Sequence, residues 1–305
     1  MELISVVIPT HYRADRLINA VKSVQQQTWP NLEIIIVSDG IDDATNTVVN
    51  KIREKDGRIQ FYSYAPSKGG NYARNMGIAY SKGKYIAFLD DDDVWYASKL
   101  EAQMKVMQKN NRLGIVGCAI RVINVSLQKN YTTIFKKHGD LSKIILYDNY
   151  IGSTSCALVK REALDKCGTF DESLPASQDH DLWIRICQNY EVEFVETVQM
   201  DYYVYDGEEK NRQISKNLQK FIQAYDIMRN KYDYLYNALP KEEYRKLLAT
   251  HENSIAKRAY EVGDRKSAVK YGQKSWKEKK NVRAGYFVLF SWIPRKLLIT
   301  LRSLL

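Results

Sequence analysis

The first 90 residues alternate continuous apolar runs with amphipathic segments, and this alternation most restricts the possible fold. The apolar runs carry Ile and Val at most positions, which is typical of strands buried on both faces. Strands that alternate with helices form parallel sheets, so the sequence predicts an α/β, Rossmann-like fold: a mixed, mostly parallel sheet flanked by helices. The predicted strands are LISVVIPT, LEIIIVSDG, RIQFYSYA and KYIAFLD, and the predicted helices are DRLINAVKSVQQQTW, ATNTVVNKIREK and NYARNMGIAYS.

Polar segments follow each predicted strand at its carboxyl end. In open parallel sheets, ligands bind at that edge. The sequence therefore predicts one binding site there, before any motif is considered. The segments are Pro9–His11, Ser38–Gly40, Ser67–Gly70 and Asp90–Asp93.

The four consecutive aspartates Asp90–Asp93 need a positive partner, because like charges side by side repel one another. An Asp-x-Asp pair at the end of a buried strand suits Mg²⁺ or Mn²⁺, which takes one or two carboxylates and completes its shell with water and phosphate oxygens. The alternative is a solvated acidic turn that caps the helix predicted near Ser98. Four carboxylates on the ligand-binding edge favour the metal site.

The net charge of +10 is concentrated in the second part of the chain. Residues 1–205 hold 24 Lys and Arg against 25 Asp and Glu, whereas residues 206–305 hold 22 against 11. Residues 112–205 carry shorter strand patterns, including GSTSCALVK, and a helix near DHDLWIRICQN. Beyond residue 206 the pattern is helical throughout, and AKRAYEVGDRKSAVKYGQKSW resembles a helical hairpin. We therefore predict two parts, a catalytic domain over 1–205 and a basic helical extension over 206–305.

The end of the chain combines aromatic, apolar and basic residues in RAGYFVLFSWIPRKLLITLRSLL. Its apolar run, Ala284 to Ile293, is too short to span a bilayer, but the composition suits a helix lying in a membrane interface. We predict contact with the membrane surface through 265–305. Packing against the rest of the chain or against a second subunit is the alternative, so an oligomer is possible. No nucleic-acid-binding motif supports the basic charge, and nucleic acid is not an expected partner.

The four cysteines contain no Cys-x-x-Cys pair, and no signal-peptide pattern opens the chain. These features predict reduced thiols and a cytoplasmic protein, peripheral at the inner face of the cell membrane.

Five segments together resemble family 2 glycosyltransferases with the GT-A fold, over about residues 3–205. The resemblance implies a nucleotide-sugar donor, with a UDP-sugar as the first expectation, and Mn²⁺ or Mg²⁺ as the cofactor. The segments are ISVVIPTHYR, LEIIIVSDG, KGGNYARNMGIAYSKGKYIAFLDDDDVW, FDESLP and QDHDLWIRI.

The resemblance also implies roles for single residues around the donor. Asp39 would accept a hydrogen bond from the base, which Pro9, Thr10 and His11 would line. His11 departs from the family, which usually has Tyr followed by Asn where this chain has His11 and Tyr12. The remaining implied contacts are Arg13 and Arg74 near the diphosphate or ribose, Gly69 close to the nucleotide, Asp90 and Asp91 beside the nucleotide, and Asp92 with Asp90 on the metal.

Asp179 in SQDHDLWIRI is the general base that the resemblance implies. A base removes the proton of the acceptor hydroxyl as that hydroxyl attacks the anomeric carbon opposite the leaving diphosphate. Capping of the following helix is the alternative role. Many relatives have a His after this helix that completes the metal site. This chain has none in YYVYDGEEKNRQIS, so either water and phosphate oxygens complete the metal shell, or Asp206 or Glu208 approaches the metal.

We therefore predict an inverting hexosyltransferase that uses a metal ion and acts on a glycan or lipid-linked glycan of a bacterial surface polysaccharide. A nucleotidyltransferase is one alternative, although PTHYRADRL lacks the glycine-rich loop such an enzyme would carry after its first strand. A non-catalytic protein that binds sugars or anionic surfaces is another, although it would be expected to lack Asp92 or Asp179, and both are present.

Overall fold

The computed structural model describes residues 1–205 and 217–290, and these residues form two compact units. The first unit contains 1–145, 149–173 and 178–205, and the second contains 146–148, 174–177 and 217–290. The assignment of 1–205 to catalysis and of 206–305 to a basic extension stays a prediction.

One mixed sheet forms the centre of the first unit, in the strand order β3-β2-β1-β4-β8-β6-β9-β5, with β7 paired to β6. Strands β1 to β4 are parallel, as their Ile/Val-rich runs predict. The strands are β1 (Ile4–Thr10), β2 (Leu32–Asp39), β3 (Ile59–Tyr64), β4 (Tyr85–Phe88), β5 (Val94–Trp95), β6 (Leu113–Asn124), β7 (Lys129–Thr133), β8 (Leu158–Lys160) and β9 (Glu191–Val204).

Helices cover the sheet and exclude water from its faces, so that β1 and β2 are buried along their full lengths. A Cβ atom at Gly77 would lie 2.2 Å from Cγ1 of Val7, so only glycine permits α3 to pack this closely on β1. The helices of this unit are α1 (Ala14–Gln25), α2 (Asp43–Arg53), α3 (Gly70–Tyr80), α4 (Lys99–Met107), α5 (Arg161–Cys167) and α6 (Gln178–Cys187).

The second unit is helical, and the predicted helical hairpin is present within it. Gly263 ends the first helix of the hairpin in the left-handed conformation, with φ 87°, and Asp264 caps the next helix by accepting a hydrogen bond from the Ser267 amide. The helices are α7 (Leu218–Lys231), α8 (Asp233–Asn237), α9 (Lys241–Val262), α10 (Arg265–Glu278) and α11 (Val282–Phe290).

One strand prediction is met only in part. The segment GSTSCALVK is only partly a strand, because Thr154–Cys156 forms a 3-10 turn before β8 begins. The end of the predicted interfacial segment, from residue 291, lies outside the described residues, as do Asp206 and Glu208. None of the helices within 1–205 and 217–290 combines the length and apolar character needed to cross a bilayer.

Candidate active site

Parallel pairing brings the predicted polar segments to one edge of the sheet. Thr10 of β1 lies in register with Ser38 of β2, and Val7 with Phe88 of β4. The segments that follow these strands therefore meet at the same edge, as the order of strands and helices predicts.

Asp39 is buried, and donors of its own chain surround its carboxylate. Oδ1 accepts hydrogen bonds from the Tyr64 hydroxyl at 2.8 Å and from the Lys68 amide at 2.6 Å, and Oδ2 accepts one from the Gly69 amide at 2.9 Å. Gly69 has φ 95°, a conformation that favours glycine. The carboxylate thus fixes the loop that leads into α3, and a base contact by Asp39 stays a prediction.

The segment after β1 borders the same region. Pro9 and Thr10 are the last residues of β1, and Thr10 is buried. His11 is more than half exposed, and its Nδ1 contacts the carbonyl oxygen of Asp39. Tyr12 is exposed with φ 53°, and a Cβ atom at Gly40 would lie 3.2 Å from the Tyr12 hydroxyl. Two aromatic rings therefore stand beside the loops of Asp39 and Ser67.

The four aspartates alternate between accessible and buried positions. The side chains of Asp90 and Asp92 are 28% and 14% exposed, whereas that of Asp91 is 5% exposed and Asp93 is fully buried. Asp93 accepts a hydrogen bond from the Tyr203 amide at 3.3 Å, which holds the loop against β9 and does not cap α4. The accessible carboxylates are thus the two of the Asp-x-Asp pair.

Three arginines partly neutralise this acidic group. Arg13 Nη1 lies 3.0 Å from Asp91 Oδ1 and 3.4 Å from Asp92 Oδ2. Thr10 also donates to Asp91, at 2.7 Å, so both oxygens of Asp91 are engaged within the protein. The other two arginines are Arg74, whose Nη2 lies 2.6 Å from Asp90 Oδ1, and Arg16, whose Nη1 lies 3.9 Å from Asp92 Oδ2.

The arginines do not cancel the negative charge. Burial and repulsion from Asp90 and Asp91 raise the pKa of Asp92 to about 6. Burial likewise raises the pKa of Asp91, and it raises that of Asp93 well above the usual range. The site therefore holds carboxylates that favour a proton or another cation.

Asp179 lies in the first turn of α6 and is partly buried. Its Oδ1 accepts a hydrogen bond from the His180 amide at 2.8 Å, and its Oδ2 accepts one from the Asn149 side chain at 2.9 Å. Burial raises the pKa of Asp179, and the charge of Asp90 raises it further, whereas that of Arg74 lowers it. The charges of Asp90 and of its partner Arg74 therefore both act on Asp179.

Asp181, two residues further along α6, is fully buried and pairs with Arg185 at 2.9 Å. It stabilises its own helix, as an i,i+4 pair does.

The sequence did not single out the residues that hold the carboxylates in place. Ser155 Oγ accepts a hydrogen bond from the Asp90 amide at 3.0 Å, and Thr154 Oγ1 lies 3.3 Å from Asp90 Oδ1. Asn149 accepts hydrogen bonds from the amides of Ile151 and Gly152, which orients its NH₂ group toward Asp179. The polar run in NYIGSTS was the available signal.

Two carboxylates suit a hard cation whose shell the substrate completes. Within 1–205 and 217–290, no three His, Cys, Asp or Glu side chains form a metal-binding group. Mg²⁺ and Mn²⁺ do not require three, because phosphate oxygens and water fill their other positions. The accessible pair Asp90 and Asp92 therefore fits such an ion.

Comparison with protein families finds one matching model, glycosyl transferase family 2, over residues 5–168, more than half of the chain. An uncharacterised glycosyltransferase of Rickettsia typhi is 31% identical over 223 residues, which cover 70% of this chain and 68% of the relative. The Escherichia coli protein WfaP, a UDP-Glc:alpha-D-GlcNAc-diphosphoundecaprenol beta-1,3-glucosyltransferase, is 32% identical over 61% of this chain and 70% of its own length. Some other relatives are matched over as little as 15% of their length.

Solved structures share the fold at low sequence identity. Staphylococcus aureus TarS 1–349 in complex with UDP-GlcNAc aligns with a TM-score of 0.60 and 14% identity, over 94% of this chain and 91% of TarS 1–349. The mannosyltransferase PcManGT of Pyrobaculum calidifontis, in complex with GDP-Man and Mn²⁺, aligns with a TM-score of 0.54 and 17% identity, over 95% and 87% of the two chains. The predicted GT-A fold is confirmed.

Proposed function

The chain belongs to glycosyl transferase family 2, and on that premise we propose that it is an inverting enzyme, which moves a sugar from a UDP-sugar to a hydroxyl group of a glycan or lipid-linked glycan. The observation that carries this proposal is the accessible pair Asp90 and Asp92 together with a separate carboxylate, Asp179, on which the charge of Asp90 acts. The pair Asp90 and Asp92 would hold the leaving diphosphate through a cation, and Asp179 would activate the acceptor hydroxyl. The family match favours a glycosyltransferase over a nucleotidyltransferase and over a non-catalytic binding protein.

The donor base would lie beside the loops of Asp39 and Ser67, against the segment Pro9–Tyr12. Tyr64 and two backbone amides hold Asp39, so its carboxylate is fixed in place before a ligand arrives. Each carboxylate oxygen has capacity for a further hydrogen bond. WfaP by its name takes UDP-Glc and TarS was crystallised with UDP-GlcNAc, which supports UDP as the first donor nucleotide to test.

Asp92 and Asp90 would hold Mn²⁺ or Mg²⁺, which would supply positive charge for the leaving diphosphate. Arg13 and Arg16 contact Asp92 and keep that carboxylate oriented. Arg74 holds Asp90 at 2.6 Å, and its remaining N–H groups suit a diphosphate or ribose oxygen. The solved complex of PcManGT with Mn²⁺ supports testing this metal first.

Asp179 would remove the proton of the acceptor hydroxyl as the oxygen attacks the anomeric carbon. Burial raises its pKa toward the range where a carboxylate is an effective base, and Asn149 keeps one oxygen in a fixed orientation. A single displacement needs one base and no protein nucleophile, and it inverts the anomeric configuration.

The acceptor would be glycan linked to a membrane lipid, as the name of WfaP states for that relative. The cations of α10 and of the segment after it are exposed, among them Lys270, Lys274 and Lys277, and Trp276 is exposed beside them. Basic residues near an aromatic side chain suit an anionic membrane surface. We extend the proposal to membrane contact through 265–305 and to a location at the cytoplasmic face of the membrane.

A thermal-shift screen of nucleotide diphosphates and nucleotide-sugars, with and without Mn²⁺, tests the donor. A ligand that binds only the folded state raises the melting temperature, so the correct UDP-sugar identifies itself by the largest Mn²⁺-dependent shift. Transfer of that sugar to lipid-linked acceptors then tests the reaction. Stabilisation by nucleoside triphosphates with sugar phosphates, and by no nucleotide-sugar, would contradict the proposal.

A further inference from the structure

The hairpin formed by β6 and β7 carries an unusual concentration of exposed apolar side chains. Eleven large apolar side chains are exposed among the described residues, and four of them fall between residues 125 and 134. Tyr131 is 61% exposed and Leu127 is 49% exposed, with Val125 and Ile134 close to these values. A cluster of this kind marks a contact surface, whereas single exposed apolar residues do not.

The charged side chains of the sequence around this cluster are basic, although β9 supplies Asp201, which pairs with Arg121 at 2.7 Å, and Glu193, which lies 3.2 Å from His138. No Asp or Glu lies between Glu101 and Asp140, and seven Lys and Arg residues do. Lys129, Lys136 and Lys137 are exposed on the hairpin and on the segment that follows it. We call residues 121–138 the basic hairpin. Its combination of aliphatic and Tyr side chains with lysines is the composition of an element that lies in a membrane interface.

The basic hairpin projects from the edge of the sheet that carries the site. Strand β8 is antiparallel both to β4 and to β6, so β6 runs in the direction of β4. Ile86 of β4 and Ile115 of β6 are both in register with Val159. Asn124 is nine residues beyond Ile115, and Asp90 is four beyond Ile86. The hairpin thus extends past the level of Asp90, by on the order of 15 Å for a straight strand.

We propose that the basic hairpin inserts its apolar tip into the interface of an anionic bilayer, so that the first unit holds its site edge toward the membrane. The tip residues Val125 and Leu127 would enter the headgroup region, and Lys129 and Lys136 would contact lipid phosphates. The consequence for an acceptor anchored in lipid rests on the proposed function, whereas the membrane contact itself does not.

A second copy of the chain is a less suitable occupant of this surface. Strand β7 pairs only with β6 among the described strands, so its outer edge could pair with another strand. A symmetric contact would place the lysines of one copy against those of the other, however, and like charges opposite one another destabilise a sheet. Lys129 on the edge strand itself opposes such pairing.

Site-specific labelling of the full-length protein tests the insertion. Leu127→Cys carries an environment-sensitive nitrobenzoxadiazole probe, and Tyr234→Cys, at a 67% exposed position of α8 in the second unit, is the matched control. Protein without either substitution gives the background from Cys167, since the other three cysteines are buried. Vesicles contain phosphatidylcholine alone or with phosphatidylglycerol.

We expect the probe at position 127 to brighten with phosphatidylglycerol vesicles and to be quenched by a lipid-borne nitroxide, and the probe at 234 to stay unchanged. Lys129→Glu with Lys136→Glu should weaken partitioning on the order of tenfold or more, and Lys51→Glu with Lys105→Glu should not. Sedimentation with vesicles without a quenched signal at 127 would assign binding to another surface and overturn the proposal. A probe response that grows with protein concentration in the absence of lipid would assign the hairpin to a second copy and also overturn it.

Activity provides a separate test. Leu127→Ser with Tyr131→Ser should leave transfer to a water-soluble acceptor unchanged and lower transfer to an acceptor in vesicles about tenfold, since less enzyme partitions to the surface. Equal loss on both acceptors would contradict a membrane role. Absence of transfer by the unmodified protein would contradict the proposed function, while the labelling result would still stand.

Discussion

Two groups of carboxylates lie at the same edge of the sheet and differ in how the protein treats their charge. Asp39 receives three hydrogen bonds from Tyr64 and from the amides of the loop before α3. Asp92 and Asp179 together accept three such bonds for two carboxylates, from Arg13, the His180 amide and Asn149, and burial raises the pKa of both. Asp39 thus serves to fix the loop before α3, whereas Asp92 and Asp179 keep a raised pKa despite their partners.

The difference separates a carboxylate that stabilises the fold from carboxylates that are candidates for binding and catalysis. A folded-state pKa of about 6 for Asp92 lies above the value near 4 of an unfolded chain. The folded state therefore binds this proton more tightly than the unfolded chain does. The free energy of unfolding falls as pH rises from about 4 to 6, and the full loss is present at pH 7. Carboxylates kept at such a cost are candidates for ligand binding and catalysis. Four substitutions test this separation, from the largest expected effect to the smallest.

Asp179→Asn should lower the turnover number by about 10²- to 10⁴-fold, because the acceptor loses its general base. The affinity for the donor should change little, since the amide keeps the size of the carboxylate. Steady-state kinetics and donor titration of the same preparation measure both quantities. Asp165→Asn, at an exposed position of α5, is the control. Near-normal turnover of the Asp179 variant would contradict the role of Asp179 as the general base.

Asp92→Asn should reduce the Mn²⁺-dependent part of donor affinity by about 10- to 100-fold, because one of the two proposed metal ligands would lose its charge. Calorimetric titration of the donor nucleotide with and without Mn²⁺ measures this part. The free energy of unfolding at pH 7 should stay unchanged or rise, since the substitution removes a charge that burial and repulsion disfavour. An undiminished response to Mn²⁺ would place the metal elsewhere.

Asp39→Asn should lower the free energy of unfolding by about 1–3 kcal/mol, because an amide NH₂ cannot accept the hydrogen bonds of the loop amides. Urea unfolding compares it with Asp92→Asn, which makes the same chemical change in the other group. If Asp39→Asn lowers the free energy of unfolding and Asp92→Asn raises it, the two carboxylates have different roles, as we predict. Equal losses of unfolding free energy would show that both carboxylates stabilise the fold.

Asn149→Asp should move the acid limb of the pH–rate profile to higher pH by about one unit, because a like charge beside Asp179 raises its pKa. The sign follows from the role of a base: activity falls as pH drops through the pKa, and this pKa has risen. Turnover measured across the acid range tests the shift. Asn189→Asp, at an exposed position just beyond the end of α6, should leave the limb in place.

Local sequence patterns were sufficient for most of the first unit. The Ile/Val runs predicted β1 to β4, and strand order alone brought Asp39 and Asp90 to one edge. Asp91 and Asp92 lie in a turn, in which the Asp93 amide donates a hydrogen bond to the Asp90 carbonyl oxygen at 3.1 Å. Strand alternation therefore does not explain the exposures of Asp90 and Asp92, and the sequence did not predict them.

Contacts made over long sequence distances were not predictable. Thr154 and Ser155 reach Asp90 only because β8 inserts antiparallel between β4 and β6, which no local period encodes. Asn149 meets Asp179 across 30 residues, and Gly152 accepts a hydrogen bond from Trp183 in the same region. The basic hairpin was missed because its apolar residues follow a strand pattern, and only the structure shows that they are exposed.

The anomeric configuration of the product tests the catalytic roles of these carboxylates most directly. The anomeric proton is observed by NMR on product made from a donor of known configuration. Its signal reports whether the configuration at the anomeric carbon is inverted or retained. We predict inversion, since Asp179 would act as a base on the acceptor and no protein side chain would bond to the sugar. Retention of configuration would contradict the proposed role of Asp179 as the base of a single inverting displacement.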